Sequence, residues 1–148
     1  MATAKSTPAM FDLSKNNLSV AAESGYEFEL MMPGTNEPTG AFITVRGEQS
    51  PIVQQFNRKR YNEYQLSVNQ AKRRGKEYDI SLDEAEEKAI EAAVNRIITW
   101  RNFADEGKEL PFTKEAAATV LKDHSWIREA VVEVSSDLLN FDPKKSKN

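Results

Sequence analysis

The feature that most constrains the fold is a change in the spacing of apolar residues at Ser50. Before Ser50, apolar and polar side chains alternate on either side of a turn-rich loop at 33–40, with the apolar positions at Tyr26, Phe28, Leu30, Met32, Ile43 and Val45. A period of two predicts strands with one buried face. After Ser50 the apolar positions recur every three or four residues, as in helices. We therefore predict a helix-rich α+β fold in which an N-terminal β-hairpin is followed by about four α-helices, with residues 12–22 as a further strand.

Residues that can cap free backbone amides mark the predicted helix starts. These residues are Ser50, Ser81, Thr113 and Ser125. The first helix is predicted to span 51–74 and to end at Gly75, since glycine tolerates the left-handed conformation that stops a helix. The second begins with a capping box and is predicted to run to about residue 104, before Gly107. Its C-terminal half is expected at the centre of the core.

The fourth predicted helix has the clearest amphipathic pattern. Its apolar residues fall on one face at helical spacing: Ile127, Ala130, Val131, Val134, Leu138 and Phe141. Such a stripe must be buried, either in the core of this chain or against another protein. Aromatic residues nearby are expected in the core, or as anchors at an interface. They are Trp100, Phe103, Phe112 and Trp126.

Composition and charge favour one acidic domain. The 148 residues, 39% of them hydrophobic, suffice for one core. We predict that residues 10–141 form it, while 1–9 and 142–148 are flexible because they carry little apolar surface. The net charge of -3 makes nucleic acid an unlikely partner, and the lack of cysteine excludes disulfides. With no apolar run of roughly 18 residues and no signal-peptide pattern, we expect a soluble cytoplasmic protein without a membrane partner.

No residue pattern predicts catalysis, a cofactor or a metal site. The acidic residues at 79–91 lack the spacing of a metal loop, and His124, the only histidine, has no recognisable nucleophile beside it. We therefore expect a protein that is not an enzyme. One alternative rests on the basic clusters at 58–60 and 72–74, which flank two tyrosines: a small nucleic-acid-binding or regulatory protein that uses the first helix.

Several segments together resemble the tail assembly chaperones of long-tailed, non-contractile bacteriophages. They are 38–50 (PTGAFITVRGEQS), 98–103 (ITWRNF), 110–115 (LPFTKE), the pair Trp126 and Ile127, and Phe141 near the end. The resemblance implies a non-catalytic protein that coats the tape measure protein and promotes assembly of the tail tube. It also implies action in the cytoplasm of the infected host and absence from the mature virion.

Partner-binding residues are inferred from amphipathicity, since the resemblance transfers no binding signature. The candidates are Leu110, Phe112, Trp126, Ile127, Val131, Leu138 and Phe141. Self-association is a further possibility. In the resembled family, ribosomal frameshifting near the end of the reading frame produces a longer form that recruits tail tube protein. The polar segment 142–148, with Lys144 and Lys145, is a candidate junction for such an extension.

Overall fold

The structure, a computed structural model, describes residues 9–144, in which helices and strands are interspersed. The helices are α1 (Leu18–Ser24), α2 (Pro51–Arg73), α3 (Leu82–Arg96), α4 (Lys114–Asp123) and α5 (Ser125–Ser136). The strands are β1 (Tyr26–Met31), β2 (Pro38–Val45), β3 (Ile97–Arg101), β4 (Ala104–Asp105) and β5 (Lys108–Glu109). Short 3-10 helices lie at Leu13–Lys15 and Leu138–Phe141. Most of the termini predicted to be flexible, residues 1–8 and 145–148, lie outside the described residues.

Strands β1, β2 and β3 form an antiparallel sheet in that order, and β4 pairs with β5 in a separate hairpin. Across the sheet, Phe28 lies opposite Ile43, and Ile43 opposite Trp100. Ile43 is fully buried and Trp100 is 6% exposed. The central strand β2 therefore contributes the middle of the apolar face on which the helices pack.

The prediction of an N-terminal hairpin followed by helices is wrong. Helix α1 precedes the first strand and occupies much of the segment predicted as an extra strand. The side chain of Asn17 caps α1 by accepting hydrogen bonds from the amides of Ser19 (3.0 Å) and Val20 (3.3 Å). Burial of Ala21 and Ala22 then holds α1 against the core. Strand β3 also lies between two helices, so the strands are not confined to the N-terminus.

The second predicted helix is wrong beyond Arg96. Residues 97–101 form strand β3, because three consecutive β-branched residues favour extended backbone and β2 offers an edge to pair with. Thr99 lies opposite Thr44 in this pairing. Gly107 ends no helix; it has a φ of 78° in the turn that joins β4 to β5, beside Glu106 at 51°.

Three of the predicted helix starts are confirmed by capping hydrogen bonds. These run from the amide of Ile52 to Ser50 Oγ (3.2 Å), from Glu84 to Ser81 Oγ (3.1 Å) and from Ala116 to Thr113 Oγ1 (3.0 Å). Ser125 is the first residue of α5 and not its cap. Helix α5 ends at Ser136, which places Leu138 and Phe141 in the following 3-10 helix.

The core lies between the sheet and helices α3, α4 and α5, and α5 contacts both β1 and β2. Val45, Leu121 and Val131 are fully buried there. At one end of the core, the ring of Phe141 packs edge-on against Tyr26 with centroids 6.1 Å apart. The C-terminal 3-10 helix is thereby fastened to the sheet.

Candidate protein-binding groove

An apolar groove opens between the sheet and helices α4 and α5, with a volume of about 560 Å³. Its apolar lining consists of Leu30, Met32, Ala41, Phe103, Ala104, Leu110, Ala116, Val120, Trp126 and Ile127. Polar residues that also line it include Asn102, Asp105, Asp123 and His124. We call this feature the α4–α5 groove.

Aromatic packing and two hydrogen bonds position one wall of the α4–α5 groove. The indole nitrogen of Trp100 donates to the carbonyl of Leu110 (2.9 Å), and the Leu110 amide donates to the carbonyl of Phe103 (2.8 Å). The Trp100 ring contacts Phe103 and Phe112, with centroids 4.6 Å and 5.2 Å away. The β4–β5 hairpin is therefore closed at its base, which presents Phe103 and Leu110 to the groove.

Asn102 supplies the turn that this wall requires. It has a φ of 66°, a conformation that asparagine tolerates better than most residues. Its side-chain amide donates to the carbonyl of Gly40 at 2.7 Å, which ties the segment after β3 to the start of β2. Gly40 itself has a φ of 80°. The hydrogen bond from Asn102 to Gly40 therefore fixes the left-handed turn that follows β3.

The structure brings three of the seven predicted partner-binding residues together in the α4–α5 groove: Leu110, Trp126 and Ile127. Phe112 is half-buried against Trp100. Val131 is fully buried and Phe141 is 2% exposed, so both lie in the core. Leu138 is 50% exposed and does not line the groove.

Some other groove residues are predicted from the sequence without any sign of a groove. Phe103 is expected in the core or as an anchor at an interface, and Leu30 and Met32 are expected on the buried side of a strand. Met32 is instead 43% exposed at the groove. Periodicity signals which side of an element faces inward, but it does not signal a gap between two packed elements.

The lining of the groove is mainly apolar and includes three ionisable residues. Its ionisable lining residues are Asp105, Asp123 and His124. Within residues 9–144, no group of three His, Cys, Asp or Glu side chains is placed to hold a metal ion. What the lining can do chemically is remove apolar side chains of a partner from water.

The opposite face of the sheet carries an ion pair. The guanidinium of Arg101 donates to both carboxylate oxygens of Glu27, at 2.9 Å and 3.1 Å, and lies 4.0 Å from the ring centroid of Phe42. These hydrogen bonds lower the pKa of Glu27 and raise that of Arg101. This face is polar, and it is separate from the α4–α5 groove.

The basic stripe expected on the first helix is divided between two sides of α2. Arg60 points toward α3, where it donates to the carboxylate of Glu91 (2.8 Å) and lies over the ring of Phe56 (4.8 Å to the centroid). Tyr64 packs against Tyr78, with centroids 5.6 Å apart. These residues support the packing of α2 on its neighbours, so they do not form one continuous stripe with the exposed cations.

A family model described as YdaY prophage protein matches residues 54–148. This match covers more than half of the chain, including both helices of the α4–α5 groove. The chain is therefore a phage-derived protein. It belongs to the YdaY prophage protein family. Searches of curated proteins and of solved structures gave no match. None of the helices in the described part of the chain is long and apolar enough to cross a membrane.

Proposed function

We propose that this protein is a non-catalytic tail assembly chaperone that binds apolar segments of a phage tape measure protein in the α4–α5 groove. The observation that supports the proposal is the groove itself, which exposes apolar side chains on an acidic protein. A chaperone of this kind needs accessible apolar surface and a charged exterior that keeps it soluble. The phage origin of the chain is consistent with this role.

The chemistry of the lining supports a client of variable sequence. Trp126 offers a large apolar surface of the type that dominates protein interfaces. Met32 has a flexible, polarisable side chain that adapts to different partners. A groove of about 560 Å³ has room for a few large side chains at a time. One copy would therefore cover a short segment, and a long tape measure protein would require many copies.

The proposal extends to where and with what the protein acts. We expect it in the cytoplasm of the infected host and not in the mature virion. A frameshifted longer form would carry the client to tail tube protein through an extension beyond the polar tail. Lys144 is the last described residue, and Lys145 lies outside the described residues. A slippery A-rich run over these two codons and an overlapping downstream frame are the features to seek in the gene.

Co-expression with the tape measure protein of the same prophage tests the proposal, with solubility and co-purification as readouts. Met32→Asp places a charge in the groove at a side chain that is 43% exposed. Met31→Asp is the matched control, because Met31 is the preceding residue, is 42% exposed and does not line the groove.

We expect wild type and Met31→Asp to keep the tape measure protein soluble and to co-purify with it. Met32→Asp should do neither. Circular dichroism checks that both variants fold. Equal client binding by all three proteins would rule out the groove as the binding site.

The nucleic-acid alternative has weaker support. Exposed cations on α2 favour it, but α3 beside them carries several carboxylates, and the whole chain has a net charge of -3. A salt titration separates the two functions, because phosphate binding weakens steeply with ionic strength and apolar binding does not.

A further inference from the structure

We propose that the exposed side of α2 binds the start of α3 in a second copy of this chain. The contact joins two different surfaces, so each copy can engage a neighbour through either one. This inference goes beyond the proposed chaperone function and does not depend on the α4–α5 groove or its client.

The α2 surface is a strip of polar and basic side chains around one leucine. Arg58, Asn62, Leu66, Asn69 and Arg73 are exposed and spaced three or four residues apart, which places them on one side of the helix. Lys59 lies beside them. We call these six residues the α2 strip. In the part of the chain that the structure describes, none of its three cations is within ion-pair distance of a carboxylate.

A shallow cleft of about 370 Å³ lies in the α2 strip, lined by Gln55, Arg58, Lys59, Asn62, Glu63 and Leu66. Leu66 is 62% exposed. The one carboxylate on the cleft, Glu63, is 3.9 Å from Arg60 of its own helix. The cleft therefore offers an apolar spot surrounded mainly by unpaired positive charge and amide groups.

The start of α3 has the complementary composition. Leu82 is 88% exposed, and Asp83 and Glu86 are exposed within one turn of it. Neither carboxylate forms an ion pair among residues 9–144. We call these three residues the α3 strip. A protruding leucine beside two carboxylates complements a cleft that combines an exposed leucine with unpaired cations.

The same molecule cannot make this contact. Its own α3 packs on α2 through Arg60, which donates to the carbonyl of Lys88 (3.2 Å) and to Glu91 (2.8 Å). Arg60 is two residues from both Arg58 and Asn62, a turn of roughly 200° around the helix, so the side of α2 that contacts α3 faces away from these two residues of the cleft. The α3 strip of a second copy can reach the cleft and bring its leucine and its negative charge to it.

Sedimentation velocity on the full chain tests the proposal through two charge reversals. Arg58→Glu with Lys59→Glu inverts the α2 strip, and Asp83→Lys with Glu86→Lys inverts the α3 strip. Lys114→Glu with Lys122→Glu is the matched control, since both lysines are exposed on α4 and line neither the groove nor the cleft. Circular dichroism verifies that each protein is folded.

We expect wild type and the α4 control to self-associate at low salt and to dissociate as salt rises. Each strip reversal should weaken self-association by about 100-fold, because like charges then meet at the contact. A chain that carries all four strip substitutions should associate again, and so should an equimolar mixture of the two reversed variants. Met32→Asp should associate like wild type, which separates this result from the test of the groove.

Three outcomes would overturn the proposal. Wild type could remain monomeric at low salt and high concentration. Self-association could persist in both reversed variants, which would locate it on another surface. A monomeric wild type that binds a 20-base-pair duplex through Arg58 and Lys59 would show that the α2 strip serves nucleic acid instead.

Discussion

Replacing Ser135 by alanine tests a buried hydrogen-bond network that joins three parts of the fold. Ser135 is 1% exposed on α5. Its hydroxyl donates to the carbonyl of Arg46 (2.6 Å) and accepts from the guanidinium of Arg96 (2.9 Å), which also pairs with Glu48 (2.6 Å). The network thus connects the segment after β2, the end of α3 and helix α5.

The expected loss of stability follows from these contacts. Ser135→Ala removes the donor to a carbonyl and one acceptor of a charged guanidinium. An unsatisfied buried polar group costs about 1–3 kcal/mol, and a hydrogen bond to a charged group contributes about 1.5–3 kcal/mol. Because Arg96 keeps its pair with Glu48, and alanine is the better helix former, we expect a net loss of about 2–3 kcal/mol in the free energy of unfolding.

Urea unfolding at 25 °C measures this loss as a lower midpoint with an unchanged slope. Ser136→Ala is the matched control, because Ser136 is the exposed neighbour on the same helix, and it should change the free energy by no more than about 0.5 kcal/mol. Equal stability of the two variants would refute the view that the Ser135 hydroxyl holds these segments together.

Two further predictions concern a tight contact and a titrating pair. Gly47→Ala should destabilise the fold by about 1–3 kcal/mol in the same urea assay, since a Cβ there would lie 2.9 Å from atoms of Ala22 and Phe141. Unchanged stability would contradict this prediction and would mean that the Phe141 ring moves aside without cost. Glu27→Gln should lower the urea midpoint at pH 7, because Arg101 lowers the pKa of the folded Glu27 and the resulting stability is present above its unfolded pKa. This difference from wild type should shrink as the pH falls below about 4.5 and be lost once the folded Glu27 is protonated, and a difference that does not change with pH would contradict the ionic origin.

Local chemistry in the sequence was sufficient to predict several elements. Ser50, Ser81 and Thr113 cap helices because their hydroxyls accept hydrogen bonds from amides only two or three residues away. Gly75 follows α2 with a φ of 67°, as its role in stopping the first helix predicted. Such features depend on neighbours in the chain, so they do not require knowledge of the tertiary structure.

Tertiary pairing decided the elements that were predicted wrongly. The apolar residues that continue α3 into 97–101 fit helical spacing, but the open edge of β2 supplies backbone hydrogen bonds that make this segment a strand. Helix α1 was likewise ambiguous, because a short apolar run fits a strand or a helix equally well until its packing partner is known. In both cases the deciding contact is distant in sequence.

The candidate binding groove depended most strongly on the tertiary structure. The sequence predicted Leu110, Trp126 and Ile127 as candidate partner-binding residues, but it could not separate them from Val131 and Phe141, which are buried in the core. Hydrophobicity determines that a side chain leaves water when a partner surface is present. Whether that surface belongs to the same chain, or is left open for another protein, is determined by how closely β1, α4 and α5 approach one another.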